Sequence, residues 1–182
     1  MISIGYMAKR VAKKPDWLKT DQVVDIYSVS GCTSQNFGDF IQDWRYNGYW
    51  FFDSPQIIQE LAQAHEIDLE DTKMFYYEVY EFQCYEDDPE WEEFGPENSL
   101  TTDVQLPPQK HFEGYDIVTF TNGNGPECSY LSCNRMAEEI TVNQHCLLET
   151  FEEAKTLLER KTFKKCEPGP CRIIAVYTIP NF

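Results

Sequence analysis

The sequence predicts an α+β fold: a mainly antiparallel or mixed sheet of about five to six strands, with three to four helices packed on it. Three observations predict it. Runs of β-branched and aromatic residues with two-residue alternation recur along the chain. Capped stretches of helical periodicity separate them at irregular intervals, which does not fit a strict βαβ alternation. The 182 residues are 42% hydrophobic and 25% charged. That suits one globular domain, 1–182, whose core needs neither metal nor disulfide to fold.

The elements follow in order. Ile2 to Met7 is apolar and reads as a first strand, and Pro15 to Leu18 as a turn or one helical turn. Val23 to Val29 is rich in β-branched residues and predicts a strand ended by Gly31. Phe37, Phe40, Ile41 and Trp44 fall at i, i+3, i+4 and i+7, one face of a helix with Asn36 as N-cap and Gly48 as terminator. Ser54 and Pro55 open a second helix at the N-cap and first helical positions, with Ile57, Ile58 and Leu61 on its apolar face. Met74 to Cys84 carries bulk on both faces and predicts a central strand. Residues 85–97 hold seven acids and no base, punctuated by Pro89, Gly95 and Pro96, and predict an exposed acidic loop. Tyr115 to Thr121 predicts a strand, and Asn122 to Gly125 a turn. Thr150 and Glu153 have the spacing of a capping box before a helix that buries Phe151, Ala154, Leu157 and Leu158. Glu167 to Pro170 is a turn, and Cys171 to Ile179 a closing strand.

The net charge is −16. Residues 21–154 carry 28 acids against four bases, while residues 1–20 carry five bases and one acid, and residues 155–182 six bases and two acids. Such a field repels nucleic acid and anionic membrane, and steers a basic protein partner toward the surface. No apolar run reaches the ~18 residues of a transmembrane helix. The apolar residues at the N-terminus precede the basic ones, the reverse of a secretory signal, which points to the cytoplasm.

Chemistry-bearing residues concentrate late in the chain. Cys128 and Cys133 are spaced by four residues, as are Cys166 and Cys171, with His145 and Cys146 between the pairs. Paired spacing of this kind lets one turn deliver two ligands to zinc, so these six residues form the candidate metal set. The alternatives are buried reduced thiols and, for an odd count in a reducing compartment, disulfides. His145 and Cys146 are adjacent and so face opposite ways on a strand, and Arg135 is the one base between residues 111 and 154 in a strongly acidic region, which argues against a thiol nucleophile. His65 and His111 read as surface or capping histidines. No EF-hand loop, phosphate-binding glycine loop, G-x-S-x-G elbow or H-E-x-x-H motif occurs.

Two further sets are candidates for binding. Glu86, Asp87, Asp88, Glu90, Trp91, Glu92, Glu93 and Phe94 combine carboxylates with aromatic anchors, as a partner-binding surface requires. Trp44, Arg45, Asn47, Tyr49 and Trp50 are candidates for a ligand cleft.

The strings Asp25-Ile-Tyr-Ser-Val-Ser, Asn47-Gly-Tyr-Trp-Phe-Phe-Asp-Ser-Pro, Glu127-Cys-Ser-Tyr-Leu-Ser-Cys-Asn and Cys166-Glu-Pro-Gly-Pro resemble a group of small acidic bacterial proteins usually left as uncharacterised. The likeness spans most of the chain and implies a bacterial single-domain protein with no assigned activity. Acidity and size are also similar to those of immunity proteins that neutralise basic nuclease toxins. The sequence therefore leads to a non-catalytic acidic protein-binding module, an immunity-type inhibitor of a basic protein, without cofactor. The alternatives are a zinc- or thiol-dependent module on the cysteine cluster, and a small-molecule binder or enzyme using the aromatic cleft.

Overall fold

The computed structural model describes residues 1–42, 45–88, 90–120 and 125–180. The strands are β1 (Ile2–Arg10), β2 (Ala12–Lys13), β3 (Asp25–Ile26), β4 (Gln35–Asn36), β5 (Lys73–Val79), β6 (Phe82–Tyr85), β7 (Glu92–Glu93), β8 (His111–Thr119), β9 (Cys128–Ser129) and β10 (Pro170–Thr178). β2 and β3 make a small separate pair. The other eight form one curled sheet in which every pairing is antiparallel. Two α-helices accompany it, α1 (Pro55–Ala64) and α2 (Phe151–Glu159). The expectation of five to six strands under three to four helices is therefore corrected: the fold is mostly antiparallel sheet, with eight strands and two α-helices among the described residues.

β10 organises the sheet. One of its edges pairs with β5 through Ile174↔Val79 to Thr178↔Phe75 and with β6 through Cys171↔Cys84, and the other edge pairs with β8. The run from Met74 to Cys84 is thus one path along β10, jogging at Tyr80 and Glu81, where Tyr80 still donates its N–H to the Ile173 carbonyl. β5 lies between β1 and β10, the central position its bulky faces predict. Alternation along β10 separates two cores. Ile174 and Val176 join Ile58 and Leu61 of α1, while Cys171 and Ile173 join Ala154 and Leu158 of α2.

Both α-helices start where their caps place them. The Ser54 hydroxyl accepts from the Ile57 N–H with Pro55 in the first turn, and the Thr150 hydroxyl accepts from the Glu153 N–H. The helix expected over Phe37 to Trp44 is a single 3₁₀ turn, Phe37–Phe40, and Ile41 is already extended. Asn36 is still paired to Lys9 of β1, so the chain leaves a strand directly into the turn. Gly38 lowers helix propensity, and the Tyr46 hydroxyl packs where its Cβ would stand. Asp39 accepts from the Asn36 N–H at 3.0 Å. Trp44, the last member of the helical pattern, lies outside the described residues, as does most of the turn expected at Asn122 to Gly125.

The strand expected over Val23 to Val29 shrinks to Asp25–Ile26. Loop and side-chain partners replace the missing ladder. Val24 and Asp25 donate to the Gln144 carbonyl and Tyr27 to that of His145, while Val29 donates to Asp116 Oδ2 at 2.9 Å. The segment runs across the sheet, and this routing places Cys32. No helix among the described residues is long and apolar enough to cross a membrane.

Candidate functional site

Two arms meet above a buried polar centre. One arm, Ser28 to Cys32, crosses Lys9 of β1. The Lys9 ammonium donates to the carbonyls of Ser28 (2.5 Å), Val29 (2.9 Å) and Ser30 (3.0 Å). The other arm is β9 and the turn after it, where Cys133 and Asn134 both donate their N–H to the Ser129 carbonyl and bring Cys133 back toward Cys128. Asp116 of β8 ties the arms together. Its carboxylate accepts from Ser28 Oγ (3.1 Å) and the Val29 N–H on one arm, and from Ser129 Oγ (2.6 Å) on the other. The outcome is a cluster in which the sulfurs of Cys32, Cys128 and Cys133 all lie within 4.8 Å of one another. Cys32 is exposed, Cys133 half-buried and Cys128 buried. Cys32 also lines an open groove of about 470 Å³ with Arg10, Thr33 and Ser34 among its walls.

The electrostatics follow from burial. Lys9 is pulled down to about 7 by desolvation, against the attraction of Asp116. Asp116 is pushed up to about 6 by desolvation, with the hydrogen bonds from Ser129 and Val29 opposing the shift. Hydrogen bonds from Cys128 and then Cys133 favour the thiolate of Cys32 and lower its pKa. The Cys128 thiol shifts up in consequence, through its bonds to Cys133 and Cys32. Lys9 is close enough for its charge to be felt at Cys133 and Cys32. A cation that does not neighbour these thiols in sequence is therefore supplied by the first strand. Such a site can hold a soft cation or exchange a proton among three sulfurs.

Of the six residues expected to bind metal, only Cys128 and Cys133 belong to this cluster. His145 sits with carboxylates instead: its Nδ1 lies 2.5 Å from Asp25 Oδ1 and its Nε2 3.7 Å from Glu113 Oε2, and its ring stacks on Tyr27. Cys146 is buried, and desolvation raises its thiol pKa. Burial pushes Cys166 up to about 11. Cys171 faces Cys84 across β6 and β10, both fully buried, and its thiol donates to the Cys84 carbonyl at 3.0 Å.

The acidic segment folds back as a hairpin, with Phe82↔Glu93 and Gln83↔Glu92 paired. Glu90, Glu92 and Glu93 are exposed, while Glu86 accepts from the Gly169 N–H and the Asp87 carbonyl accepts from Lys161 Nζ. Asp88 closes the turn by exchanging backbone hydrogen bonds with Tyr85. The two aromatics turn inward. Trp91 packs edge-on against Tyr80, and Phe94 is buried over the guanidinium of Arg172, which Phe120 covers from 3.9 Å. In the expected ligand cleft, Asn47 is a buried corner that donates to the Ile4 carbonyl and Asp53 and accepts from the Tyr49 and Phe51 N–H groups. Tyr49 is buried, Arg45 pairs with Glu60 on the surface, and Trp50 donates to Glu97 at 3.2 Å.

Sequence reasoning missed Cys32, Lys9, Asp116 and Ser129. The available signal was a lysine and an aspartate inside apolar strand runs, and the Ser-x-Ser-x-Cys and Cys-Ser-x-x-Ser-Cys strings, whose hydroxyls and thiols both face one centre. No family model, curated protein or solved structure matches the chain.

Proposed function

We propose that this protein is a thiol-dependent metal-binding module in which Cys32, Cys128 and Cys133 hold one soft cation of the zinc class. The observation that carries the reading is the mutual approach of three sulfurs within 4.8 Å, from arms anchored on a shared carboxylate. Sulfurs around tetrahedral zinc, at ~2.3 Å from the metal, stand roughly 3.8 Å apart, so contraction of about 1 Å closes the set. Three thiolates leave the fourth position to water or a small ligand. Affinity rises with pH, because the metal displaces thiol protons. A reducing cytoplasm suits such thiols. Zinc titration and elemental analysis of the chelator-treated, refilled protein test it: one ion per chain is expected, lost in Cys32→Ser, Cys128→Ser or Cys133→Ser. Less than stoichiometric metal in the unsubstituted protein overturns it.

A second reading keeps the acidic surface as a dock for a basic protein. It is supported by Glu90, Glu92 and Glu93 standing exposed on the hairpin, with Phe94 buried and Trp91 half-buried against Tyr80. Contact there is electrostatic, so capture of a basic partner at low salt is expected to fail at high salt. Capture that is indifferent to charge reversal of those three glutamates removes this reading.

A further inference from the structure

We infer that the three-sulfur cluster is also a hydroperoxide-sensitive switch, in which Cys32 is oxidised first and is then bridged to Cys128 or Cys133. The cluster is graded from outside to inside. Cys32 is exposed on the wall of an open groove, Cys133 is half-buried, and Cys128 is buried. An oxidant arriving from solvent therefore meets Cys32 first and finds a second thiol within 4.8 Å. The anchoring of the first arm favours closure. Lys9 takes the carbonyls of Ser28, Val29 and Ser30, and Cys32 lies just past that fixed stretch, on the turn that leads to β4. The Cys32 thiol donates to the Glu127 carbonyl at 3.1 Å, one residue before Cys128, so the contact that holds Cys32 already aims it at the second arm. A disulfide needs its sulfurs at ~2.05 Å, and the short turn between Ser30 and β4 has to supply the remaining approach.

The chemistry balances. The Cys32 thiol and a hydroperoxide react with cleavage of the O–O bond. Sulfur gains one oxygen as S–OH and is oxidised, and the hydroperoxide is reduced and leaves as alcohol or water. The second thiol then attacks that sulfur. The S–S bond forms, the S–O bond breaks, and the hydroxyl leaves with the thiol proton as water. Two thiols and one hydroperoxide thus give one disulfide, one alcohol and one water. The bridge consumes two sulfurs of the metal reading, yet the reaction needs no metal and stands for the metal-free chain. Cys84 and Cys171 supply an internal control, since they face each other with no exposure to solvent.

The test uses the full chain, reduced and freed of metal, given hydrogen peroxide, alkylated and mapped by peptide mass. A bridge joining Cys32 to Cys128 or Cys133 is expected, with loss of two hydrogens and reversal by dithiothreitol. Cys84, Cys146, Cys166 and Cys171 stay free. Cys32→Ser, at an exposed position, is expected to slow peroxide consumption at least ~10-fold, the effect of removing the accessible thiol. Two results overturn the inference: a bridge forming at unchanged rate in Cys32→Ser, or Cys32 ending as sulfinate beside free Cys128 and Cys133. Repeating the oxidation after zinc loading keeps the readings apart. Failure of zinc to protect counts against the metal alone, and failure of the bridge in metal-free protein counts against the switch alone.

Discussion

Two groups of cysteines in this chain are close in space and differ in everything else. Cys84 and Cys171 face each other within the ladder of β6 and β10, with no exposure, in an apolar core that includes Ile117, Ile173 and Leu158. Cys32, Cys128 and Cys133 meet where the irregular arm Ser28 to Cys32 reaches β9 and the turn after it, held by hydroxyls, main-chain amides, one lysine and one aspartate. Both groups bring sulfurs together. Only the second combines proximity with an entrance and with polar groups that stabilise charge. Proximity inside a strand pair yields a packed thiol that behaves as a small hydrophobe, whereas proximity between arms yields a candidate site.

The largest expected contrast is in reactivity. In native protein an alkylating reagent is expected to label Cys32 at least ~10³-fold faster than Cys84 or Cys171, because a core strand exposes its thiols only on opening that approaches global unfolding. Residue-resolved labelling read by mass spectrometry checks this, and equal rates would erase the distinction between the two groups. Asp116→Ala comes next. It leaves the Ser28, Ser129 and Val29 donors without that acceptor and removes the strongest of the negative groups that attract Lys9, and is expected to cost about 3–5 kcal/mol in urea unfolding. A loss below ~1 kcal/mol would mean that the arms hold together without the carboxylate.

Packing separates the groups by a smaller margin. Cys171→Ala opens space in a filled core and is expected to cost about 1–2 kcal/mol, while Cys32→Ala at the surface should fall within ~0.5 kcal/mol. Similar midpoints for the two variants would show that Cys32 is packed rather than presented. The smallest effect is on pH dependence. Asp116 is raised to about 6 in the fold by burial, so the native state binds its proton more tightly than the unfolded chain does. The stability this contributes is fully present below the unfolded carboxylate pKa of about 3.9 and is lost as pH rises through about 6. Asp116→Asn should lack that part of the slope. Parallel profiles for the two proteins between about pH 4 and pH 6 would place the titration on another group.

How much was legible differs by element. α1 and α2 were readable because Ser54, Pro55 and Thr150 are local devices, acting within one turn. β5 was readable as a central strand because bulk on both of its faces has one simple explanation, a covered position, whereas the closing strand over Cys171 to Ile179 was readable as a strand but not as the one that organises the sheet. The segment Phe37 to Trp44 misled because helical spacing of apolar residues says nothing about whether Asn36 is already committed to β1. Val23 to Val29 misled because β-branched residues also suit an extended segment pinned by side chains. In the site, Cys128 and Cys133 are separated by four residues on one turn that returns on itself, while the same spacing at Cys166 and Cys171 brings neither into the cluster. The third sulfur was out of reach, since Cys32 lies almost a hundred residues earlier and its arm is placed by Lys9 and Asp116, neither of which neighbours a cysteine in sequence. His145 was drawn toward the cysteines by adjacency, but its ring lies between Asp25 and Glu113.

By itself the sequence determined where two helices begin, that the strand from Met74 is covered on both faces, and that the middle of the chain is strongly acidic. These depend on caps, on alternation and on counted charges, all of which act locally or as sums. Only the tertiary structure decided which cysteines share a site, which acids face solvent, and that the lysine missing around the thiols is supplied by β1. Such pairings are made by burial. A charged group taken from water accepts whichever partners the sheet brings within hydrogen-bond distance, and the crossing of Ser28 to Cys32 over Lys9 and Asp116 arises from the strand order rather than from any spacing along the chain.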